Sequence, residues 1–470
     1  MFEQQRWPRV AWIPLFAGLA WLWCAASFGV PGFFFSVVPG CLLLGAGVST
    51  LLWPGDLRIP QFVALGGFLG VPLALPAFFV AGFGTGLLLV VASAAAFVAA
   101  GAISVRQEPH VDEVPVPVPS PGLSLQVAID DLLLATMNLT LPMPVVSDRD
   151  RIRREVHEAR EQFAAAGWLE KPEGYHLPPP VLEAPNLAPA RSRSHDFEHL
   201  SFESGYEPRA GEPGRERWLS YGANRTAHAW VLRHREPRPW LVCLHGYQMG
   251  FPLVDLFAFR PEWLHHRLGL NLLLPVLPLH GPRKVGRRSG DGFLAADFLD
   301  TVHAEAQTMW DVRRLLSWVR AQGAPAIGVH GLSLGGYNTA LLASLDDGLA
   351  CAIPGIPATD WTRIVWRHGP SLNIRHAEQG GLVHDEVQEL HRVVSPLALE
   401  PKVPFEGRWI FGAVADRLVP ADQVRDLWRH WGRPRITWYQ GAHVTFRAHP
   451  EVGAMVEEAL GAAGLVAERE

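Results

Sequence analysis

Ser333 stands in Gly331-Leu-Ser333-Leu-Gly335-Gly336, between a short apolar run, Ala324-Pro-Ala-Ile-Gly-Val-His330, and a helix-compatible run from Tyr337 to Ser344. A G-x-S-x-G segment joining strand to helix forms a sharp turn. Its serine is strained, its hydroxyl stands exposed, and the flanking glycines let strand and helix pack closely. The bare pattern is weak in a chain with 45 glycines, so it is the strand–turn–helix context that marks Ser333 as a nucleophile. A serine hydroxyl attacks only when a neighbouring base takes its proton. Suitable partners follow downstream: Asp416 in Ala415-Asp416-Arg-Leu-Val-Pro420, and His443 after Gly441-Ala442. His443 is expected to accept the proton and return it to the leaving group. Asp416 is expected to fix the imidazole tautomer and stabilise the imidazolium. The backbone N–H groups of Leu334 and Tyr247 are the expected oxyanion hole.

The elements that must position these residues are legible as apolar runs. From Trp240 onward these are continuous: Trp240 to Leu244, Leu272 to Val276, Ala326 to Val329, Ala350 to Ile353, Trp409 to Val414 and Arg435 to Tyr439. Buried parallel strands read this way, and their alternation with helical stretches such as Ala304 to Ala321 predicts a doubly wound α/β sheet. Ligands of such sheets bind at the carboxyl ends of the strands. His245-Gly246-Tyr247, Asp416 and His443 all follow directly on strand ends. Upstream, His199 to Ser204, Glu216 to Tyr221 and Ala227 to Leu232 mix apolar and polar residues, as half-exposed antiparallel strands do.

With the order Ser, Asp, His, the chain resembles the α/β-hydrolase family, whose triad runs in that order. The resemblance covers residues 199–470 and implies a mostly parallel sheet of about eight strands with a helical cap, here about residues 361–400. It makes Ser333 the nucleophile, Asp416 the acid and His443 the base of a serine esterase. Leu277-Pro-Leu-His280-Gly281-Pro-Arg283-Lys284, with the two downstream motifs, also resembles the type named α/β-hydrolase domain-containing protein eighteen. This chain departs from that type in its N-terminal membrane region.

Each assignment has a competitor. Asp360, after the strand at Ala350, is a rival acid, and Asp422 has the position of a turn or cap residue. His449 precedes a proline and reads as structural, His245 as loop-shaping and His330 as a packed strand-end residue. Arg283, Lys284, Arg287 and Arg288 could attract an anionic substrate, although a solvated charge run is the default. His195 and His199 flank two acidic residues, but no third ligand has suitable spacing for a metal.

Charged residues are absent from Val10 to Gly55 and from Ile59 to Val105. Each gap accommodates two helices of about 20 residues crossing a bilayer, with breaks near Gly29-Val-Pro31-Gly32 and Gly82-Phe-Gly84-Thr-Gly86. Four spans are therefore expected over residues 1–106. Arg6, Arg9, Arg58 and Arg106 fall on one side of that arrangement, which the positive-inside rule makes cytoplasmic. A proline-rich linker (107–122) and a connecting region (123–198) follow. In the latter, Leu123 to Met137 is an apolar helix carrying the acidic pair Asp130 and Asp131, and Ser147 to Ala166 is a charged helix capped by Ser147 and Asp148. Lys171 to Arg191 is expected to wrap the surface of the domain that follows.

Four scattered cysteines give no disulfide framework, and a net charge of −5 gives no nucleic-acid footprint. The sequence thus predicts a multi-pass cell-membrane serine hydrolase with a cytoplasmic catalytic domain and no cofactor, acting on a small, amphiphilic acyl substrate. The alternative is an inactive hydrolase-fold scaffold that binds a ligand or partner.

Overall fold

A computed structural model describes residues 9–140, 148–295 and 297–466. The chain divides into two compact units. The first comprises Met1–Thr140 with the short stretches Ala413–Ala421 and Trp438–His449; the second comprises the remainder.

The first unit is helical: α1 (Trp12–Ser27), α2 (Gly29–Leu52), α3 (Ile59–Leu73), α4 (Leu75–Val80), α5 (Phe83–Gln107) and α6 (Pro121–Thr140). Among the described residues, three stretches are long and apolar enough to cross a membrane: Arg9–Ser27, Gly29–Leu52 and Phe83–Gln107. The remaining expected span is broken into α3 and α4. Pro72 and Pro76 each remove a backbone donor, and the chain turns at Ala74, whose N–H bonds to Gly70 O at 2.9 Å. Phe16, Trp23, Phe34 and Phe79 are exposed apolar side chains, while Trp21, Leu43, Val63 and Ala96 pack inside the bundle. Trp21 Nε1 donates to Ser93 Oγ at 3.0 Å, tying α1 to α5. Packing by apolar contact with sparse interhelical hydrogen bonds is how helices associate where lipid offers no hydrophobic drive. Arg6 lies outside the described residues.

Helix α6 packs on α5 at a point where no side chain fits: a Cβ on Gly101 would lie 1.8 Å from Ser124 O. The other flank of α6 buries Leu123 and Val127 against Val414, Ala415 and Ala442. The acidic pair noted in the sequence lies on this helix, fully buried.

The later elements, which lie in the second unit except for the ends of β8, α15 and β9, are α7 (Arg149–Ala165), β1 (Asn186–Ser192), β2 (His195–Glu203), α8 (Arg215–Ser220), β3 (Thr226–Leu232), β4 (Trp240–Leu244), α9 (Pro252–Phe259), β5 (Asn271–Val276), α10 (Phe298–Ala321), β6 (Ile327–Leu332), α11 (Leu334–Leu345), β7 (Cys351–Gly355), α12 (Trp361–His368), α13 (Ser371–Gln379), α14 (His384–His391), β8 (Trp409–Ala413), α15 (Ala421–His430), β9 (Arg435–Tyr439) and α16 (Pro450–Ala462). The sheet has nine strands in the order β1-β2-β3-β5-β4-β6-β7-β8-β9. Strands β1 to β3 pair antiparallel, β3 meets β5 antiparallel, and β5 through β8 run parallel. The order reverses at β4, which has β5 on one side and β6 on the other, the kind of switch point outside which such sheets bind ligands. Every residue of β4, β5, β6, β7 and β8 is buried, as their continuous apolar runs require.

Three local expectations are corrected. Glu216 to Tyr221 is not a strand but α8 and its cap, because tertiary partners override the β preference of Trp and Tyr. Trp218 Nε1 bonds Gln307 Oε1 at 3.0 Å, Arg217 pairs with Glu155, Asp297 and Asp300, and Tyr221 donates to Asp300 at 2.6 Å. The end of the proline-rich wrap is strand β1, at the sheet edge, where Pro189 is tolerated because one side of the strand needs no donor. The charged helix starts at Arg149; Asp148 makes no side-chain cap bond, and Ser147 lies outside the described residues. Helices α12 to α14 fill the insertion between β7 and β8.

Candidate active site

Ser333 occupies the turn between β6 and α11 with φ +58° and ψ −111°, a strained conformation for a residue with a Cβ. Its surroundings enforce it. A Cβ on Gly331 would lie 2.0 Å from Gly335 O, and one on Gly335 would lie 1.8 Å from Leu244 O. Ser333 N–H donates to Gly355 O at 3.0 Å, and its own carbonyl accepts from Tyr337 N at 2.9 Å. Its neighbours on both sides are buried, yet Ser333 itself is half-buried. Leu334 is the first residue of α11, so its N–H has no acceptor within the helix. The β4 carboxyl end brings Gly246 alongside: a Cβ there would lie 3.7 Å from Ser333 Cβ. Tyr247 follows, with its ring packed near His280 and Phe293. Strand order, parallel core and elbow together make this an α/β-hydrolase fold.

In the helical unit the loops after β8 and β9 run side by side, with Val414 N–H on Tyr439 O and Ala415 N–H on Gly441 O, each at 3.1 Å. This brings His443 Nδ1 to 2.6 Å from Asp416 Oδ2, both groups buried. Asp416 Oδ1 accepts the N–H groups of Leu418 (3.0 Å) and Val419 (2.8 Å), which fixes the carboxylate plane. Burial alone would lower the His443 pKa; the adjacent Asp416 carboxylate outweighs it and raises the pKa above the ordinary histidine value. With Nδ1 committed to Asp416, Nε2 is the nitrogen left for proton transfer.

The competitors are accounted for locally. Asp360 caps α12, accepting Arg363 N at 3.0 Å, and Asp422 pairs with Arg363. His449 lies against Tyr439 and reaches Gln126 at 3.2 Å. His245 Nδ1 bonds Gly246 O, and its Nε2 accepts Leu277 N at 3.1 Å; burial depresses its pKa to about 4, so a neutral ring shapes the loop. His330 donates to Ile353 O and packs on Phe259 and Phe411. Arg283 cannot serve as an exposed anion contact, because it is fully buried and pairs with Asp311 at 2.8 Å. Lys284, Arg287 and Arg288 remain exposed. His199 bonds His228 at 2.9 Å, and His195 lies 3.7 Å from Glu262.

Two proteins of Mycobacterium tuberculosis are similar to this chain: "Uncharacterized protein MT2702" of strain CDC 1551 / Oshkosh and "Uncharacterized protein Rv2627c" of strain ATCC 25618 / H37Rv. Each is 44% identical over 364 residues, covering 77% of this chain and 86% of the relative. The chain belongs to their family. No protein-family model matches it. Among solved structures, acetyl xylan esterase 1 from Thermoanaerobacterium sp. JW/SL YS485 is 15% identical, with a TM-score of 0.43 over 68% of this chain and 95% of that one. The acetyl xylan esterase from Paenibacillus sp. R4 is 16% identical, with a TM-score of 0.44 over 69% and 98%.

No local pattern in the sequence connects Asp130 and Asp131 to this site. Asp130 Oδ2 accepts the backbone N–H of His443 at 2.8 Å and of Arg417 at 3.1 Å. Asp131 accepts Arg417 Nε at 3.1 Å and Ser104 Oγ at 2.5 Å. The available signal was the pair itself: carboxylates in an apolar helix are almost never fully buried without partners.

Proposed function

We propose that the protein is a membrane-anchored serine hydrolase that cleaves a carboxylic ester or related acyl bond through Ser333, His443 and Asp416. The observation that carries this reading is the backbone of Ser333. A serine held at φ +58° by two glycines that tolerate no Cβ is a strained feature with no use in packing, and strain of that kind collects at functional sites. The buried Asp416–His443 pair supplies the base and its orienting acid. Ser333 Oγ attacks the acyl carbon as His443 Nε2 takes its proton, and the N–H groups of Leu334 and Tyr247 receive the developing oxyanion. Collapse breaks the bond to the leaving group, which takes the proton from His443. Water then repeats the sequence on the Ser333 acyl-enzyme and releases the acid. No cofactor enters either half.

The apolar helices support membrane anchoring, with Arg9, Arg58 and Arg106 marking the cytoplasmic face and the catalytic unit on that side. Such a tether favours a small, amphiphilic acyl substrate delivered from the bilayer. A reporter fused after Arg106 and active only outside the cytoplasm would overturn the orientation. The reaction itself is tested by labelling the detergent-purified full chain with a fluorophosphonate, which bonds only to an activated serine. Wild type is expected to label, and Ser333→Ala to lose labelling and at least about 10⁴-fold in ester turnover while keeping its melting temperature. A folded wild type that does not label would favour a binding scaffold instead.

A further inference from the structure

The helix that follows the membrane region places a buried carboxylate beside the acid–base pair. We propose that Asp130 is a positioning residue: it braces the His443 loop to the Asp416 loop and supports the imidazolium that forms during turnover. The inference rests on the serine-hydrolase reading above and adds to it a role for a helix that sequence alone leaves between the membrane segments and the catalytic domain.

Three observations carry it. First, a single oxygen, Asp130 Oδ2, accepts both His443 N–H (2.8 Å) and Arg417 N–H (3.1 Å), so one group spans the loop bearing the base and the loop bearing the acid. Second, Asp130 is held from behind. Its neighbour Asp131 bonds Ser104 of α5 and Arg417 Nε, and the same guanidinium reaches Glu108 and Leu57 O (2.8 Å). The close approach at Gly101 fixes α6 against α5 at the same level. The brace is therefore anchored in the helices of the membrane region rather than in a mobile side chain.

Third, a carboxylate is the wrong group for bracing alone. Both N–H groups need only a neutral acceptor, which asparagine would provide. Asp130 is instead a buried acid whose Oδ1 has no hydrogen-bond partner among the described residues, an arrangement that destabilises a fold. Arg417, the adjacent cation, directs its guanidinium to Asp131, Glu108 and Leu57 O, not to Asp130. The titratable groups that face Asp130 are Asp416 and His443, and burial with the Asp416 charge pushes its pKa up to about 7. Of these, only His443 gains from a negative charge, when its ring is protonated in mid-reaction. An ionisable group buried at such cost beside a reacting group is a mark of function rather than of packing.

The test follows fluorophosphonate labelling of the full chain against pH in wild type, Ser333→Ala, Asp130→Ala and Asp130→Asn, with far-UV circular dichroism as the check on folding. Asp130→Ala is expected to slow labelling by about 10²-fold, the scale of a small misplacement of a reacting group. Asp130→Asn restores the acceptor but not the charge, so it is expected to recover part of that rate and to move the acid-limb midpoint to lower pH. Folded variants with the wild-type rate and midpoint would overturn the proposal. If Asp130→Ala does not fold, Asp130→Asn decides alone: a lowered midpoint supports the role and an unchanged one refutes it. A wild type that fails to label, or a Ser333→Ala that labels equally, instead defeats the serine-hydrolase reading and takes this inference with it.

Discussion

Ser333 takes its conformation from residues within four positions of it and from the carbonyls of adjoining strand ends. His443 takes its setting from Asp416 and from a carboxylate 313 positions earlier in the chain. The elbow is a steric device: with Cβ clearances near 2 Å at Gly331 and Gly335, the backbone has one arrangement and little freedom to be tuned. The acid–base loops are an electrostatic device, in which buried charges, hydrogen bonds and a helix from outside the sheet share the work. Steric definition is all or none. Electrostatic definition is graded, and it can respond to whatever moves the groups that supply it.

Substitutions at the two places should therefore fail differently. Asp416→Asn keeps an acceptor for Leu418 and Val419 but removes the charge that orients and stabilises the His443 imidazolium. Turnover is expected to fall by about 10⁴-fold with the melting temperature nearly unchanged; a loss under tenfold would point to another acid. Gly335→Ala forces a Cβ into Leu244 O, so the damage should appear in the fold as well as in turnover. A destabilisation of about 1–3 kcal/mol is expected, read as a lowered melting temperature. An alanine variant that melts with wild type would show that the elbow can relax, and would remove the contrast.

The same contrast explains what the sequence disclosed. The elbow, the parallel strands and the Asp416 and His443 loops were all legible, because each is written in contiguous residues: glycines two positions either side of a serine, apolar runs, a strand followed at once by a polar loop. The break between α3 and α4 was not legible, because Pro72 and Pro76 are tolerable within an unbroken membrane helix and the turn at Ala74 has no local signature. Glu216 to Tyr221 misled because Trp218 and Tyr221 satisfy β preference locally but find their partners, Gln307 and Asp300, some 80 to 90 positions away. Arg283 looked like surface charge beside Lys284, and only the fold reveals Asp311 opposite it. Asp130 stands out in the sequence as one of an acidic pair, but no local pattern connects it to His443. Features set by neighbours in sequence are readable there; features set by long-range charge are not.

The smallest expected effect probes the graded side most directly. Burial lowers the pKa of His443, while Asp416 and Asp130 raise it by more, leaving it above the ordinary 6.5. A protonated imidazole cannot accept the Ser333 proton, so kcat/KM should fall as pH is lowered through a midpoint above 6.5. The midpoint belongs to the interacting set of His443, Asp416 and Asp130 rather than to one ring. Linkage runs the other way for stability. A raised folded pKa contributes stabilisation that is full below the unfolded pKa and lost as pH rises through the folded one. Activity should thus climb with pH over the interval in which this contribution to the melting temperature declines. Asp416→Asn removes the largest raising influence, so its residual labelling should have a lower midpoint than wild type. Equal midpoints, or a wild-type value at or below 6.5, would mean that His443 is poised by something other than these two carboxylates.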